Sequence, residues 1–416
     1  MKLQIKQASK LTGHIKVSGA KNAALKMIAA SILIDGKLRL YNTPYITDVI
    51  KMSEIVEAIG GNVEWSGNKL TIETNRIKEY LLPVRLSKSL RGSVVFVGPL
   101  LSRFKKVILP WPGGCAIGKR PLTTHVDLFR DLGVTVKQQN KRYEFKVVKN
   151  PPEVVTLKER SVTATENAIL YLARSDFNVT IKNAAAEPEI DDLIVMLNKA
   201  GTKIKRTNTS TINVNGVRVL TSTRHNIYGD RIEAGTWMVA GLLLGDKLRI
   251  TGFNPDHLKA PIELAKKIGG DIKVISERAI EVNKSDLQAT NIKTEVYPGF
   301  PTDLQSPFGL LLTQANGKST IYETLFNDRL RYLEELKNMG AQATILSDNK
   351  AEINGPTKLI GRRIESTDLR AGATMVLAGL IAEGESVVDN AEIIDRGYEN
   401  IDSKLSGVGV SIKRIK

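Results

Sequence analysis

The sequence predicts a mixed α/β fold, α+β within each repeat, made of six copies of one unit shared between two domains. Three observations carry this. A glycine that closes a helix and precedes a strand recurs six times, an apolar helix opened by a polar turn recurs about 40 residues before each glycine, and the 416-residue length exceeds what one hydrophobic core usually fills.

The glycines are Gly60, Gly133, Gly201, Gly269, Gly340 and Gly409, in EAIGGNV, RDLGVTV, NKAGTKI, KKIGGDI, KNMGAQA and GVGVSI. They lie roughly 70 residues apart. Each reads as the left-handed residue that ends a helix, with a β-branched strand following. The second feature appears as SGAKNAALKMIAA, SLRGSVVFVGPLL, SVTATENAILYLA, GDRIEAGTWMVAGLLL, PTDLQSPFGLLL and STDLRAGATMVLAGLIA. These segments are apolar nearly all round, which marks buried helices. Between them, KLRLYNT, KVILPWP, NVTIKNA, KLRITGF, KSTIYET and ESVVDNA alternate as strands do. Each unit therefore holds strands, one buried helix and one more exposed helix, and three units fill each domain. The buried helices bring their positive dipole ends to a common region, where an anion would be welcome.

Composition narrows the function. Apolar residues at 42% and charged residues at 25% describe a globular chain. No apolar run approaches the roughly 18 residues of a spanning helix, and MKLQIKQASKLTG lacks the apolar centre of a signal peptide, so a cytoplasmic location with no membrane partner is expected. The single cysteine, Cys115, excludes an intramolecular disulfide and a thiolate-rich metal site. His14, His125, His225 and His257 lack ligand spacing, and no metal is expected. A net charge of +16 fits either nucleic acid or small polyanions, but aromatics at 5% supply no base-stacking platform, and nucleic acid is not an expected partner.

Five blocks, SGAKNAAL, PGGCAIGKRP, FPTDLQ, STDLRAGATMVLAGLIAEG and IDRGYENIDSKL, resemble the UDP-N-acetylglucosamine 1-carboxyvinyltransferase family of the EPSP synthase-like superfamily, in register along essentially the whole chain. The resemblance implies two domains, each of three βαβαββ units, in the inverted double mushroom of that superfamily. It places residues 20–228 in a domain carrying Cys115, and residues 1–19 plus 229–416 in one carrying Asp303, Arg329, Arg370 and Arg396. It further implies transfer of the enolpyruvyl group of phosphoenolpyruvate to the 3'-hydroxyl of UDP-N-acetylglucosamine with release of phosphate, the first committed step of peptidoglycan precursor synthesis. The reaction would run by addition and elimination through a tetrahedral intermediate, with no cofactor.

Such chemistry needs an acid, a base and anion clamps, and most of its transition-state stabilisation is electrostatic. Cys115, flanked by glycines and by Lys119 and Arg120, matches the family's proton donor; the bland alternative is a small buried hydrophobe. Lys21 opens the first buried helix, where the macrodipole disfavours a cation, and by resemblance it holds the phosphate of phosphoenolpyruvate while Asn22 touches the sugar hydroxyl. Arg120, Arg329, Arg370 and Arg396 match the arginines that clamp phosphate and carboxylate, for which a planar fork is suited; Arg396, with Lys21, Cys115 and Asp303, is expected to be catalytic. Asp303 matches the carboxylate beside the attacking hydroxyl. It also reads as a helix N-cap, unless Thr302 caps instead. Asp368 takes a supporting role toward the intermediate. The nucleotide sugar maps by resemblance to Arg91, Arg120, Pro121, Leu122, Thr123, Thr124, Ser161, Val162 and Leu325, with departures from the family pattern at Thr123, Glu159 and Thr163. Another nucleoside or sugar acceptor is the alternative reading.

Overall fold

The structure, a computed structural model, describes residues 1–113 and 122–415. These fall into two compact units, residues 1–18 with those from 229 onward, and residues 19–113 with 122–228. Each has one continuous apolar core. Among the described residues, no helix is long and apolar enough to cross a membrane.

All six repeat glycines adopt positive φ, from 85° at Gly133 to 122° at Gly201. Each follows a helix, such as Thr47–Ala58 before Gly60 or Pro188–Lys199 before Gly201, and leads into a strand, here Asn62–Ser66 and Lys203–Asn208. A left-handed residue turns the chain out of the helix at no Cβ cost only when it is glycine, so the period in the sequence is a period of helix endings.

Six small sheets follow from the six units. Five of them carry one parallel edge strand on an otherwise antiparallel ladder, as Val154–Thr156 lies on Asn178–Lys182 and Asn291–Lys293 on Gly317–Tyr322. In three of the five a buried helix joins the edge strand to its parallel neighbour, since parallel neighbours need a crossover; in the other two, Leu11–Lys16 lies on Gly245–Thr251 and Leu220–Asn226 on Ile34–Tyr41, strands far apart in the chain. In one sheet the N-terminal strand Lys2–Lys6 lies between Glu385–Asp389 and Ile412–Ile415. The sixth repeat is thereby completed by the start of the chain.

The buried helices are Lys21–Ala30, Val97–Phe104 and Val162–Ala173 in one unit, and Arg231–Leu244, Gln305–Leu312 and Leu369–Ile381 in the other. Two begin later than the sequence pattern suggests. Residues Arg91–Phe96 and Thr302–Leu304 are 3-10 turns, and the α-helix after each carries proline at its third position, Pro99 or Pro307. A proline ring clashes with the carbonyl four residues back, here that of Val95 or Asp303, so the α-helical ladder cannot start earlier. Close helix contact is bought elsewhere by glycine: a Cβ on Gly98 would lie 2.5 Å from the Asn167 carbonyl oxygen, and the Gly98 amide donates to Asn167 Oδ1 at 2.8 Å.

Candidate active site

In the unit holding the C-terminal half, the 3-10 turn Thr302–Leu304 is capped by no side chain. Both capping expectations therefore fail, because stronger partners claim the two groups. The Asp303 carboxylate lies between two guanidinium groups: Arg329 Nη2 donates to Oδ1 at 2.6 Å and Arg370 Nη2 donates to Oδ2 at 3.1 Å. Thr302 Oγ1 accepts from Arg329 Nη1 at 2.7 Å and donates to Glu323 Oε2 at 2.8 Å. Arg329 and Arg370 are 4% and 3% exposed, so these contacts form largely out of water, where charge-assisted hydrogen bonds are strongest.

Arg370 is the second residue of the helix Leu369–Ile381. Its guanidinium sits over the Tyr398 ring, 5.3 Å from the centroid, and its Nε and Nη1 are buried without a hydrogen-bond acceptor among the described residues. Burial alone would lower its pKa, but Tyr398, Asp303 and Asp230 outweigh that and hold it above the ordinary arginine value. Buried N–H groups of a cation are costly to leave without an acceptor. Asp368 is the N-cap of the same helix, Oδ1 accepting from the amides of Arg370 at 2.8 Å and Ala371 at 3.1 Å. Its visible work is to fix the backbone that carries Arg370. Arg396 ends the 3-10 turn Ala391–Arg396, and Leu325 is 37% exposed.

In the other unit Lys21 starts the helix Lys21–Ala30, 7% exposed, and its Nζ pairs with Asp48 Oδ2 at 2.7 Å. Asp48, itself buried, offsets the unfavourable cation at a helix N-terminus. Asn22 is the next residue and half-buried. One layer deeper, Lys26 Nζ lies 3.2 Å from Glu166 Oε2; burial pushes the Glu166 carboxyl up to about 8 against the pull of Lys26.

Of the expected nucleotide-sugar residues, Arg91 opens its 3-10 turn, Leu122 is buried, and Thr123 and Thr124 begin the helix Thr123–Asp131. Ser161 caps the helix Val162–Ala173, accepting from the Ala164 amide at 3.3 Å. The three departures from the family pattern are accommodated in different ways. Thr124 Oγ1 donates to Glu159 Oε2 at 2.8 Å, Thr163 Oγ1 meets His125 Nε2 at 3.2 Å, and Thr123 is exposed. Cys115, Arg120 and Pro121 lie outside the described residues.

Four residues of these clusters are not singled out as site residues by the sequence, although Tyr398 lies in the block IDRGYENIDSKL. His125 stands one position past the matched run, buried against Arg91, Thr163 and Asn167. Burial, helped by Arg91, lowers its pKa to about 4. Tyr398 supports Arg370 and shares a 2.8 Å hydrogen bond with Thr236 Oγ1. Asp48 holds Lys21 and Glu323 holds Thr302. All four act on partners distant in sequence, and a neighbouring motif cannot announce such a contact.

The repeated mixed unit is that of the enolpyruvyl-transferring enzymes, as comparison with known proteins shows. The family model EPSP synthase (3-phosphoshikimate 1-carboxyvinyltransferase) matches residues 5–405. Among solved structures, an enolpyruvyl transferase from Streptomyces tendae superposes with a TM-score of 0.89 at 23% identity, covering 99% of this chain and 98% of that one. An EPSP synthase from Acinetobacter baumannii gives 0.75 at 16% identity, covering 99% and 100%; both show the shared fold. Curated relatives narrow the class. A UDP-N-acetylglucosamine 1-carboxyvinyltransferase of Halothermothrix orenii is 41% identical over 415 residues, 100% of both chains, and one of Bacillus subtilis is 36% identical over 414 residues, covering 99% of this chain and 96% of its own. This chain belongs to the UDP-N-acetylglucosamine 1-carboxyvinyltransferase family.

Proposed function

We propose that this protein transfers the enolpyruvyl group of phosphoenolpyruvate to the 3'-hydroxyl of UDP-N-acetylglucosamine, releasing inorganic phosphate, as the committed step toward peptidoglycan in the cytoplasm. The observation that supports it most directly is Asp303 fixed between Arg329 and Arg370 while Arg370 keeps two buried N–H groups unspent. A carboxylate beside a waiting anion receptor is what the reaction needs: a proton acceptor for the sugar hydroxyl, next to donors for a phosphate or carboxylate.

In the addition step the sugar oxygen bonds to C2 of phosphoenolpyruvate, its proton passes to Asp303, and the Cys115 thiol gives a proton to C3. Elimination returns a C3 proton to the Cys115 thiolate and breaks the C2–O bond to phosphate, which leaves with the proton held by Asp303, and the double bond is restored in the product. Lys21, Arg120 and Arg396 neutralise phosphate and carboxylate charge through both steps, and Asn22 orients the attacking hydroxyl. Arg91, Pro121 to Thr124, Ser161, Val162 and Leu325 hold the nucleotide sugar. Asp368 acts by positioning Arg370, and no cofactor or metal takes part.

Phosphate release from phosphoenolpyruvate, followed with and without UDP-N-acetylglucosamine, tests the proposal. Release that depends on the UDP-sugar is expected. Equal or faster release with shikimate 3-phosphate or a free nucleoside would overturn the acceptor.

A further inference from the structure

We propose that Glu323 is a positioning residue that sets the pose of Asp303 through Thr302 and Arg329 and, with its other oxygen, anchors the loop bearing Leu325; the first part rests on the reading of Asp303 as the base. Glu323 follows the strand Gly317–Tyr322 and is 1% exposed. Among the described residues its carboxylate makes no ion pair, and each of its hydrogen-bond partners is a neutral donor. Oε1 accepts from Thr294 Oγ1 at 2.9 Å and from the amides of Leu325 at 2.9 Å and Phe326 at 3.2 Å, while Oε2 accepts from Thr302 Oγ1 at 2.8 Å.

The polarity of this knot is forced. A threonine hydroxyl has one proton. Thr302 Oγ1 must accept from Arg329 Nη1, which has nothing but protons to offer, so its own proton goes to Glu323. Thr294 Oγ1 must accept from the Thr324 amide at 2.9 Å, so its proton goes to Glu323 as well. Four donors converge, and two are backbone amides that cannot reverse. Only a group with acceptors on both branches satisfies them. A glutamine in either flip turns its NH2 toward Thr302 or toward the Thr294, Leu325 and Phe326 group, donor against donor.

The consequence travels one bond further. Arg329 spends Nη1 on Thr302 and Nη2 on Asp303, so the fork that aims the carboxylate is held by the hydroxyl that Glu323 polarises. Arg329 also lies over the Phe326 ring, 5.5 Å from its centroid, and the second tooth on Thr302 fixes the plane of its fork as well as its place.

The test uses the full-length protein with Glu323→Gln, Thr302→Val and Asp303→Asn, singly and combined. Glu323→Gln should lower kcat roughly tenfold or more, the scale of a lost charge-assisted hydrogen bond, and raise KM for UDP-N-acetylglucosamine through the Leu325 loop. Thr302→Val should lower kcat alike with KM near wild type, because it cuts only the branch to Arg329. In the Asp303→Asn background both changes should cost less than about threefold, the signature of residues acting through one another. A purely structural Glu323 predicts additive losses that track melting temperature, and that result overturns the proposal, as does wild-type kcat in either single variant. Two readouts need no turnover: hydrogen exchange at the Leu325 and Phe326 amides should speed up in Glu323→Gln but not in Thr302→Val, and the Arg329 guanidinium NMR signals should move in both. Should the wild type release no phosphate with any acceptor, the functional reading fails, and unchanged exchange and Arg329 signals would then overturn the positioning claim separately.

Discussion

His125 offers a test of the site's electrostatics that requires no substrate. Its imidazole is buried, Asn167 Nδ2 donates to Nδ1 at 3.3 Å because Asn167 Oδ1 is occupied by the Gly98 amide, and Nε2 is left to donate to Thr163 Oγ1 at 3.2 Å. One ring nitrogen accepts and the other donates, which is the neutral tautomer. Burial and the nearby Arg91 lower the pKa from 6.5 to about 4. The unfolded chain binds a proton near pH 6.5 and the folded chain does not until about pH 4, so the unfolded state holds more protons in that window and stability must fall as pH drops through it. At about 1.4 kcal/mol per unit, the full loss is about 3 kcal/mol. His125→Gln, which cannot titrate, should flatten the pH dependence between 6.5 and 4 by that amount whatever it costs at pH 7. Urea unfolding at a series of pH values, read by a probe in residues 19–228, measures the difference in slope. Parallel pH profiles for wild type and variant, or an NMR titration of His125 centred near 6.5, would refute the argument.

Three further outcomes are expected, two from the structure and one from the proposed role of Cys115. Arg370→Lys keeps the charge but not the fork that reaches Asp303 with N–H groups to spare, and kcat/KM should fall roughly 10²-fold, the scale of losing about two charged hydrogen bonds; activity within threefold of wild type would count against Arg370 as an anion clamp. Gly133→Ala meets both a φ of +85° and the Lys149 carbonyl 2.5 Å from the new Cβ, whereas Gly409→Ala, at φ +96°, meets nothing within 4 Å. Denaturant unfolding should show the second costing about 1 kcal/mol and the first distinctly more. Cys115→Ala should lose activity roughly 10²- to 10⁴-fold, the usual scale for a general acid, while Cys115→Asp retains much more; by family resemblance the epoxide fosfomycin should add once to the wild-type thiol in intact-mass spectrometry and not to the Asp variant.

The repeat was legible in the sequence because its cause is local. A helix that must stop before a strand needs a left-handed residue at one position, and six glycines satisfy that need within six short windows. The late starts of Val97–Phe104 and Gln305–Leu312 were written in the chain too, in Pro99 and Pro307, but the apolar pattern runs through the turn before each proline and hides it. The pairing of Asp303 with Arg329 and Arg370 was not legible. The position of Asp303 favours a cap, and only partners 26 and 67 residues away draw its carboxylate off the backbone. Glu323 gave even less signal, a glutamate in KSTIYET resembling any residue just past the end of a strand until Thr302 arrives from another element.

The net charge misleads in an instructive way. The whole chain carries +16, yet among the described residues five buried Lys and Arg side chains face seven buried carboxylates. The excess cations therefore sit at the surface, where they are hydrated and screened within about 10 Å. Inside, Lys21 has Asp48, Lys26 has Glu166, and Arg329 and Arg370 share Asp303. An anion arriving at Arg370 is not drawn in by a net positive interior. On the proposed function it would be held because Arg370 Nε and Nη1 are already desolvated and make no hydrogen bond to a described residue, so little would be lost in reorganising them when charge develops. Adding surface cations should change the rate of encounter and its salt dependence, whereas changes to the pairing around Asp303 and Arg370 should change the chemical step.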